Sequence, residues 1–200
     1  MSTLTLQHLQ THHIGPIDLT VAAAECVVIS GPSGAGKSLL LRAIADLDPH
    51  EGEVLLDGVA QSRTSPPQWR SQVGLLPADS PWWFDTVGAH FDGVDAEALQ
   101  QLGFYPEVMG WQVARLSSGE KQRLALLRLL SRRPRVLLLD EASANLDGGN
   151  TARVEAVVAR YRRAHEAPVV WVSHDAGQIG RVADRHFVLR EGRLVAGGDS

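Results

Sequence analysis

Short apolar runs set between polar turns are the main pattern along this chain. Runs of this length, bounded by turn-forming residues, predict β-strands. The predicted strands cover residues 4–9, 17–21, 26–30, 54–56, 73–76, 136–139 and 169–172, and a closing hairpin combines residues 186–189 with 193–195.

Segments with apolar residues at helical spacing lie between these strands. They predict helices over residues 38–47, 96–102, 120–130, 152–164 and 177–182. Strands that alternate with helices favour a mainly parallel sheet covered on both faces, so the expected class is α/β. Residues 79–115 are instead rich in turns and tryptophan.

Composition adds limits to this picture. A length of 200 residues with 44% hydrophobic residues suits one domain, spanning residues 1–200, with an ordinary core. The formal net charge of -4 gives no basic field, so nucleic acid is not an expected partner. No apolar run approaches the ~20 residues of a membrane-spanning helix, so we expect a cytoplasmic chain. The single cysteine, Cys26, excludes an internal disulfide and belongs to a predicted strand.

A complete phosphate-binding loop follows the third predicted strand and opens a helix. Its residues are Gly31, Pro32, Ser33, Gly34, Ala35, Gly36, Lys37 and Ser38. The glycines allow backbone N–H groups to surround phosphates without Cβ clashes, and the helix N-terminus favours an anion. Lys37 is expected to reach the β- and γ-phosphates, and the Ser38 hydroxyl is expected to bind Mg²⁺.

Two further strands end in polar residues, at the sheet edge where ligands of α/β sheets bind. The strand over 136–139 runs into Asp140 and Glu141, and the strand over 169–172 runs towards His174. We expect Asp140 to hold Mg²⁺ through water and Glu141 to act as the general base towards the attacking water.

The motifs occur in the order phosphate loop, LSSGEKQR, VLLLDEASANLD and WVSHD. In that order the chain resembles the ATP-binding cassette (ABC) ATPase family. The resemblance implies a P-loop NTPase fold with an N-terminal antiparallel β part and a shortened helical subdomain over roughly 79–133. It also implies ATP and Mg²⁺ as cofactors, and His174 as the switch histidine that contacts the γ-phosphate.

The same resemblance implies that two copies form a homodimer when ATP binds. Each ATP would lie between the phosphate loop of one copy and Ser117, Ser118, Gly119 and Glu120 of the other. The resemblance also implies that Asp147 belongs to the loop that crosses this interface. Ser117 also fits a helix N-cap with Glu120 at the third helical position, a capping box, and both interpretations can hold together.

The chain departs from the family at two positions. The adenine-stacking aromatic is replaced by the Thr11-His12-His13 segment, where His13 (or His12) is the best substitute. The usual glutamine after the 73–76 strand is replaced by Ala78. Either Asp79 takes over its contact with Mg²⁺ or water, or a water molecule fills the gap. The aromatic residues Trp82, Trp83 and Phe84 next to it form either a docking patch or the core of the helical subdomain.

The favoured function is the ATPase subunit of an ABC transporter, bound to the inner face of the membrane through a separate transmembrane permease. The motif wording is similar to that of compact bacterial two-component exporters of the iron-export type. Two alternatives remain: a soluble ABC ATPase in complex assembly, and a nucleotide-sensing module with little turnover. The intact Lys37, Asp140, Glu141 and His174 speak against the sensing module, and Ala78 speaks for it.

Overall fold

A computed structural model describes residues 2–197 of the chain. Its strands are β1 (Leu4–Thr11), β2 (Ile14–Val21), β3 (Cys26–Ser30), β4 (Glu51–Leu56), β5 (Val59–Ala60), β6 (Val73–Leu76), β7 (Val136–Asp140), β8 (Val169–Val172), β9 (Arg185–Arg190) and β10 (Arg193–Ala196). Its helices are α1 (Lys37–Ile44), α2 (Pro66–Gln72), α3 (Ala96–Gln101), α4 (Ser118–Ser131), α5 (Gly148–Ala164) and α6 (Ala176–Val182).

A six-stranded sheet in the order β10-β9-β3-β8-β7-β6 forms the centre of the fold. Strands β9, β3, β8, β7 and β6 run parallel, and β10 is antiparallel at the edge. Because parallel strands end at one edge, the loops after β3, β7 and β8 open side by side. The predicted α/β class and mainly parallel sheet are confirmed.

Both faces of this sheet are buried, as the continuous apolar runs predict. All five residues of β7 are buried, and its four apolar residues alternate between two core clusters. Leu137 and Leu139 face a cluster with α4 and α5, whereas Val136 and Leu138 face one with α1 and the first strands. The period of two thus divides one strand between two cores.

A four-stranded antiparallel sheet in the order β2-β1-β4-β5 covers the second cluster. It supplies the expected N-terminal antiparallel part. Residues 79–133 contain α3, three short 3₁₀ turns and α4. Among the described residues, 2–197, no helix has the length and apolar character needed to cross a membrane.

The sequence pattern missed α2, a helix with proline in its first turn and mostly polar residues. It is fixed by Trp69, which is 1% exposed and donates its indole N–H to the carbonyl of Ile44 at 2.9 Å. Helix α1 is also shorter than expected, since Asp46 already has a φ of 59°. A tertiary contact therefore stabilises α2, and α1 ends where the backbone leaves the helical conformation.

Candidate functional site

The phosphate loop links β3 to α1, and its backbone demands glycine at two positions. Gly31 has a φ of 139°, and an ideal Cβ there would lie 2.4 Å from the carbonyl oxygen of Leu189. Gly36 caps α1 in the left-handed region with a φ of 99°. A side chain at either position would be strained or would clash, so the loop can curve closely around a ligand.

A cavity of about 370 Å³ lies at the ends of β3, β7 and β8. Its lining residues are Gly31, Ser33, Gly34, Gly36, Lys37, Ser38, Leu39, Asp140, Glu141 and His174. Three motifs that are well separated in sequence, at residues 31–38, 140–141 and 174, therefore share one cavity. Pro32 and Ala35 belong to the loop without lining the cavity.

Lys37 and Ser38 lie at the loop's end of the cavity. The Lys37 ammonium donates to the carbonyls of Gly31 at 2.8 Å and Pro32 at 2.9 Å. An ammonium has three N–H donors, so it can hold both carbonyls and still reach a phosphate oxygen. Ser38 hydrogen-bonds Asp140, which joins the loop to β7.

Asp140 is 7% exposed at the end of β7. Burial raises the pKa of this carboxyl, the Ser38 hydrogen bond and the Lys37 charge lower it, and Glu141 raises it, with a net upward direction. A buried carboxylate that disfavours its own charge gains from a nearby cation. Asp140 is therefore suited to a positive ligand.

These residues fit Mg²⁺. Magnesium is usually held by one or two carboxylates, a hydroxyl, water and substrate phosphates, without an all-protein cage. Asp140 and Ser38, joined by a hydrogen bond, supply one carboxylate and one hydroxyl. Among residues 2–197, no group of three or more His, Cys, Asp or Glu side chains could hold a metal ion.

Glu141 and His174 lie next to each other in the lining of the cavity. The Oε1 atom of Glu141 lies 3.4 Å from the Nδ1 atom of His174. Glu141 adopts a φ of 50° and donates its backbone N–H to the carbonyl of Val172 at 3.1 Å. The loop after β7 is therefore tied to β8, and both side chains line the cavity.

Ser117, Ser118, Gly119 and Glu120 do not line this cavity. They form the start of α4, where Ser117 is the N-cap and Glu120 completes the capping box. Glu120 accepts from the Ser117 backbone N–H at 2.9 Å and from its hydroxyl at 2.7 Å, and both bonds lower the pKa of Glu120. The first intrahelical bond begins at the N–H of Lys121, so the Ser118 and Gly119 N–H groups precede it.

Asp147 is exposed and caps α5. Its carboxylate accepts the Asn150 backbone N–H at 2.8 Å, and hydrogen bonds from Asn150 lower its pKa. The preceding residue, Leu146, touches α4, because an ideal Cβ on Gly119 would lie 2.8 Å from Leu146 Cδ2. The loop over 143–147 thus lies against the start of α4.

His13, and not His12, approaches the phosphate loop. Its Nε2 atom would lie 3.3 Å from an ideal Cβ on Gly36. His12 has a φ of 51° at the turn between β1 and β2. His13 is exposed, so its ring is free to stack on a base beside the loop.

The replaced glutamine position lies at the end of β6. Ala78 and Asp79 are both exposed, and Asp79 borders a different cavity from the one that contains Asp140. The sequence left two alternatives for the glutamine's contact with Mg²⁺ or water, replacement by Asp79 or by a water molecule. This geometry gives no support to replacement by Asp79.

Trp82, Trp83 and Phe84 differ in burial, which bears on whether they form a docking patch or part of the core. Trp82 is half-buried against the core, and the guanidinium of Arg128 stacks on its ring at 4.6 Å. Trp83 and Phe84 are 56% and 50% exposed. Their backbone N–H groups both donate to Nε2 of the buried His90 at 3.1 Å. Trp82 thus anchors residues 82–84 to the core. His90 binds the backbone of Trp83 and Phe84, whose rings are exposed to solvent.

Sequence reasoning also missed a buried glutamine, Gln178 on α6, which is 2% exposed. Its amide bonds Ser143 after β7 and Ser173 after β8. A polar residue one turn after the WVSHD motif was the available signal, although only the fold shows that it is buried.

Comparison with known proteins agrees with these observations. The family profile described as ABC transporter matches residues 14–144. Over 185 residues the chain is 37% identical to the aliphatic sulfonates import ATP-binding protein SsuB 2 of Frankia alni, covering 89% of this chain and 71% of that protein. It is 33% identical to the probable iron export ATP-binding protein FetA of Escherichia coli, covering 87% of this chain and 83% of that protein.

A solved structure agrees as well. The bacterial Atm1-family ABC exporter with ATP bound superposes with a TM-score of 0.85 at 28% identity, over 96% of this chain and 38% of that one. The expected resemblance to the ABC ATPase family is thus confirmed, and the relatives include an iron-export protein as well as an importer. The chain belongs to the ABC transporter family, as an ATP-binding subunit that hydrolyses ATP.

Proposed function

We propose that this ATPase works as a head-to-tail homodimer with two ATP molecules between the copies, and that it drives a separate permease at the inner face of the membrane. One observation supports the proposed dimer. The cavity contains Lys37, Asp140, Glu141 and His174, whereas the start of α4 lies outside it. A helix N-terminus with early N–H groups is suited to a phosphate, and a second copy would bring it to one.

Within each site the chain's own residues divide the work. Backbone N–H groups of the loop and the Lys37 ammonium would hold the β- and γ-phosphates, while Asp140 and Ser38 would hold Mg²⁺. Bound Mg²⁺ would neutralise charge that develops on the phosphate oxygens. Glu141 accepts a proton as water attacks the γ-phosphate, and His174 donates a hydrogen bond to that phosphate. The products are ADP and phosphate.

The second copy completes the site. Ser117 and the N–H groups of Ser118 and Gly119 would face the γ-phosphate held by the other copy, and Asp147 would lie at the interface between copies. Phosphoryl transfer depends mostly on positioning and charge stabilisation, so an open dimer hydrolyses slowly. His13 would stack on the adenine.

The permease would dock on a groove between α1, the end of β6 and α4. This cavity of about 540 Å³ is bordered by the apolar Leu47 and Trp83, and by the cations Arg42, Arg128 and Arg132. Leu47 is 44% exposed. Exposed apolar side chains beside charged ones are typical of a protein interface. Asp79, next to the position of the missing glutamine, also borders the groove, so docking can reach the loop after β6.

Light scattering tests the dimer. If Glu141 is the general base, Glu141→Gln should bind ATP without hydrolysing it, so this variant should be a dimer with ATP and a monomer without it. A monomer at saturating ATP would contradict the sandwich. The same variant should lose ATPase activity, and Asp79→Ala should keep both the rate and the Mg²⁺ dependence of the wild type.

A further inference from the structure

Gln178 lies between the two loops that carry Glu141 and His174. Its carbonyl oxygen accepts hydrogen bonds from the hydroxyls of Ser173 at 2.8 Å and Ser143 at 3.0 Å. Its amide nitrogen donates to the hydroxyl of Ser143 at 2.7 Å and to Oε1 of Glu155 at 3.1 Å. The side chain is therefore bonded to three different parts of the fold.

The bonding capacity of this amide is fully used. A glutamine amide has two N–H donors and one oxygen with two lone pairs, and the four bonds engage all of them. Ser173 is 4% exposed and Gln178 is 2% exposed, so water does not compete for these atoms. A fully satisfied buried network of this kind holds its members in one arrangement.

The partners of Gln178 are direct neighbours of the proposed reacting groups. Ser143 lies two residues after Glu141, and Ser173 immediately precedes His174. The loop after β7 also starts in an uncommon conformation, since Glu141 has a φ of 50°. Contacts further along the loop are needed to fix such a backbone.

The network is anchored on the side away from the cavity. Glu155, on α5, receives the Gln178 amide and a two-pronged ion pair from Arg181 at 2.8 and 2.9 Å. Gln178 itself is fixed at the start of α6, where its N–H donates to Asp175 at 3.0 Å. Helices α5 and α6 thus provide a rigid support from which one side chain reaches both loops.

We propose that Gln178 is a positioning residue that sets the distance between Glu141 and His174, by holding the loops after β7 and β8 through Ser143 and Ser173. The inference rests on the roles proposed above for Glu141 and His174. Because Ser143 belongs to the loop that ends at Asp147, the same side chain also joins the His174 loop to the segment expected at the dimer interface.

Gln178→Leu is the main test. Leucine keeps the approximate volume but removes every side-chain bond, so Glu141 and His174 lose their common support. Misplacement by about 1 Å can cost a factor on the order of 100 in rate, so we expect kcat to fall by about tenfold or more. The KM for ATP should stay within about twofold, since Lys37 and the loop are untouched.

Gln61→Leu is a matched control. Gln61 is a buried glutamine at 8% exposure whose amide donates to Asp46 at 2.8 Å and whose oxygen contacts His50 at 2.9 Å. It lies near β5, away from the cavity. Both variants should lose thermal stability, but only Gln178→Leu should lose kcat per folded molecule. Equal kcat in the two variants would overturn the proposal.

Exchanging the side chains of Gln178 and Glu155 tests whether their hydrogen bond, and not packing alone, determines kcat. Gln178→Glu alone places a second carboxylate against Glu155 and should be slow. Combined with Glu155→Gln, it restores the bond between positions 178 and 155 with donor and acceptor reversed. Because Arg181 loses its carboxylate partner in this pair, we expect kcat to recover in part relative to Gln178→Glu. Failure of this rescue would show that the hydrogen bond is not what matters.

Glu141→Gln, assayed in parallel, distinguishes a failure of the proposed role of Glu141 from a failure of the proposed role of Gln178. If it retains the wild-type rate, the proposed role of Glu141 is wrong. If it is inactive while Gln178→Leu keeps the wild-type kcat, only the inference about Gln178 fails.

Discussion

The Nδ1 atom of His174 lies 3.4 Å from the Oε1 atom of Glu141, although the two side chains come from different loops. The strands before them are hydrogen-bonded neighbours, with Asp140 paired to Val172. Register alone therefore brings both loops to the same height at the sheet edge. The buried Gln178 then connects the loops from behind.

Ser117→Ala should separate capping from the proposed role at the second copy's ATP. Losing an N-cap costs about 1 kcal/mol of unfolding free energy. Asp95→Ala is the control, because Asp95 caps α3 by accepting the Glu97 N–H at 3.0 Å. Denaturant unfolding should show similar losses, while ATPase assays should show a decrease for Ser117→Ala alone. Equal activities would limit Ser117 to a capping role.

Gly119→Ala should impair activity at little cost in stability. Alanine favours a helix over glycine by up to about 1 kcal/mol, which offsets the displacement of Leu146. The new Cβ would lie 2.8 Å from Leu146 Cδ2, so the 143–147 loop must move. We expect a near-normal Tm with a reduced ATPase rate, and recovery when Leu146→Ala is added.

Gly180→Ala is the control for this variant. An added Cβ on Gly180 meets no atom within 4 Å, so this change should leave the rate intact. A Gly119→Ala rate equal to that of Gly180→Ala would contradict the proposed contact between α4 and the loop.

Glu120 should make stability depend on pH with a defined sign. Hydrogen bonds from Ser117 lower the pKa of Glu120 in the folded state, so the unfolded chain binds the proton more readily. The contribution of Glu120 to the free energy of unfolding is complete above the ordinary carboxyl pKa. It is lost as the pH falls through the pKa that Glu120 has in the folded state. Glu120→Gln keeps a capping-box side chain without the charge. Its Tm deficit relative to the wild type should therefore be larger at neutral pH than at acid pH, and the reverse trend would exclude this assignment.

Trp82 and Trp83 should behave differently although they are adjacent. Trp82 lies against the core and under Arg128, so Trp82→Ala should cost about 2 kcal/mol or more of unfolding free energy. Trp83→Ala, at a side chain that is 56% exposed, should change stability little. It should instead reduce the stimulation of ATPase activity by the permease in vesicles. Unchanged stimulation would remove Trp83 from the docking surface.

Much of the sheet and site could be predicted because each depends on local sequence. The first four residues of β7 are apolar because the strand is buried on both faces, and the phosphate loop, Asp140 and Glu141 are recognised from short motifs. Helix α2 could not be predicted, since its stability comes from Trp69 binding the Ile44 carbonyl. Gln178 and His90 were missed because their partners lie on other segments, and a polar residue gives no sign in the sequence of being buried.

A mixing assay tests directly the central claim that each copy completes the other's site. Glu141→Gln and Ser117→Arg chains should each be inactive alone. A mixed dimer would join the intact loop and Glu141 of the Ser117→Arg chain to the intact Ser117 of the other. Half of random dimers are mixed and each has one intact site, so equal mixing should restore up to about a quarter of the wild-type ATPase rate. No activity in the mixture, with dimers confirmed by light scattering, would contradict the account.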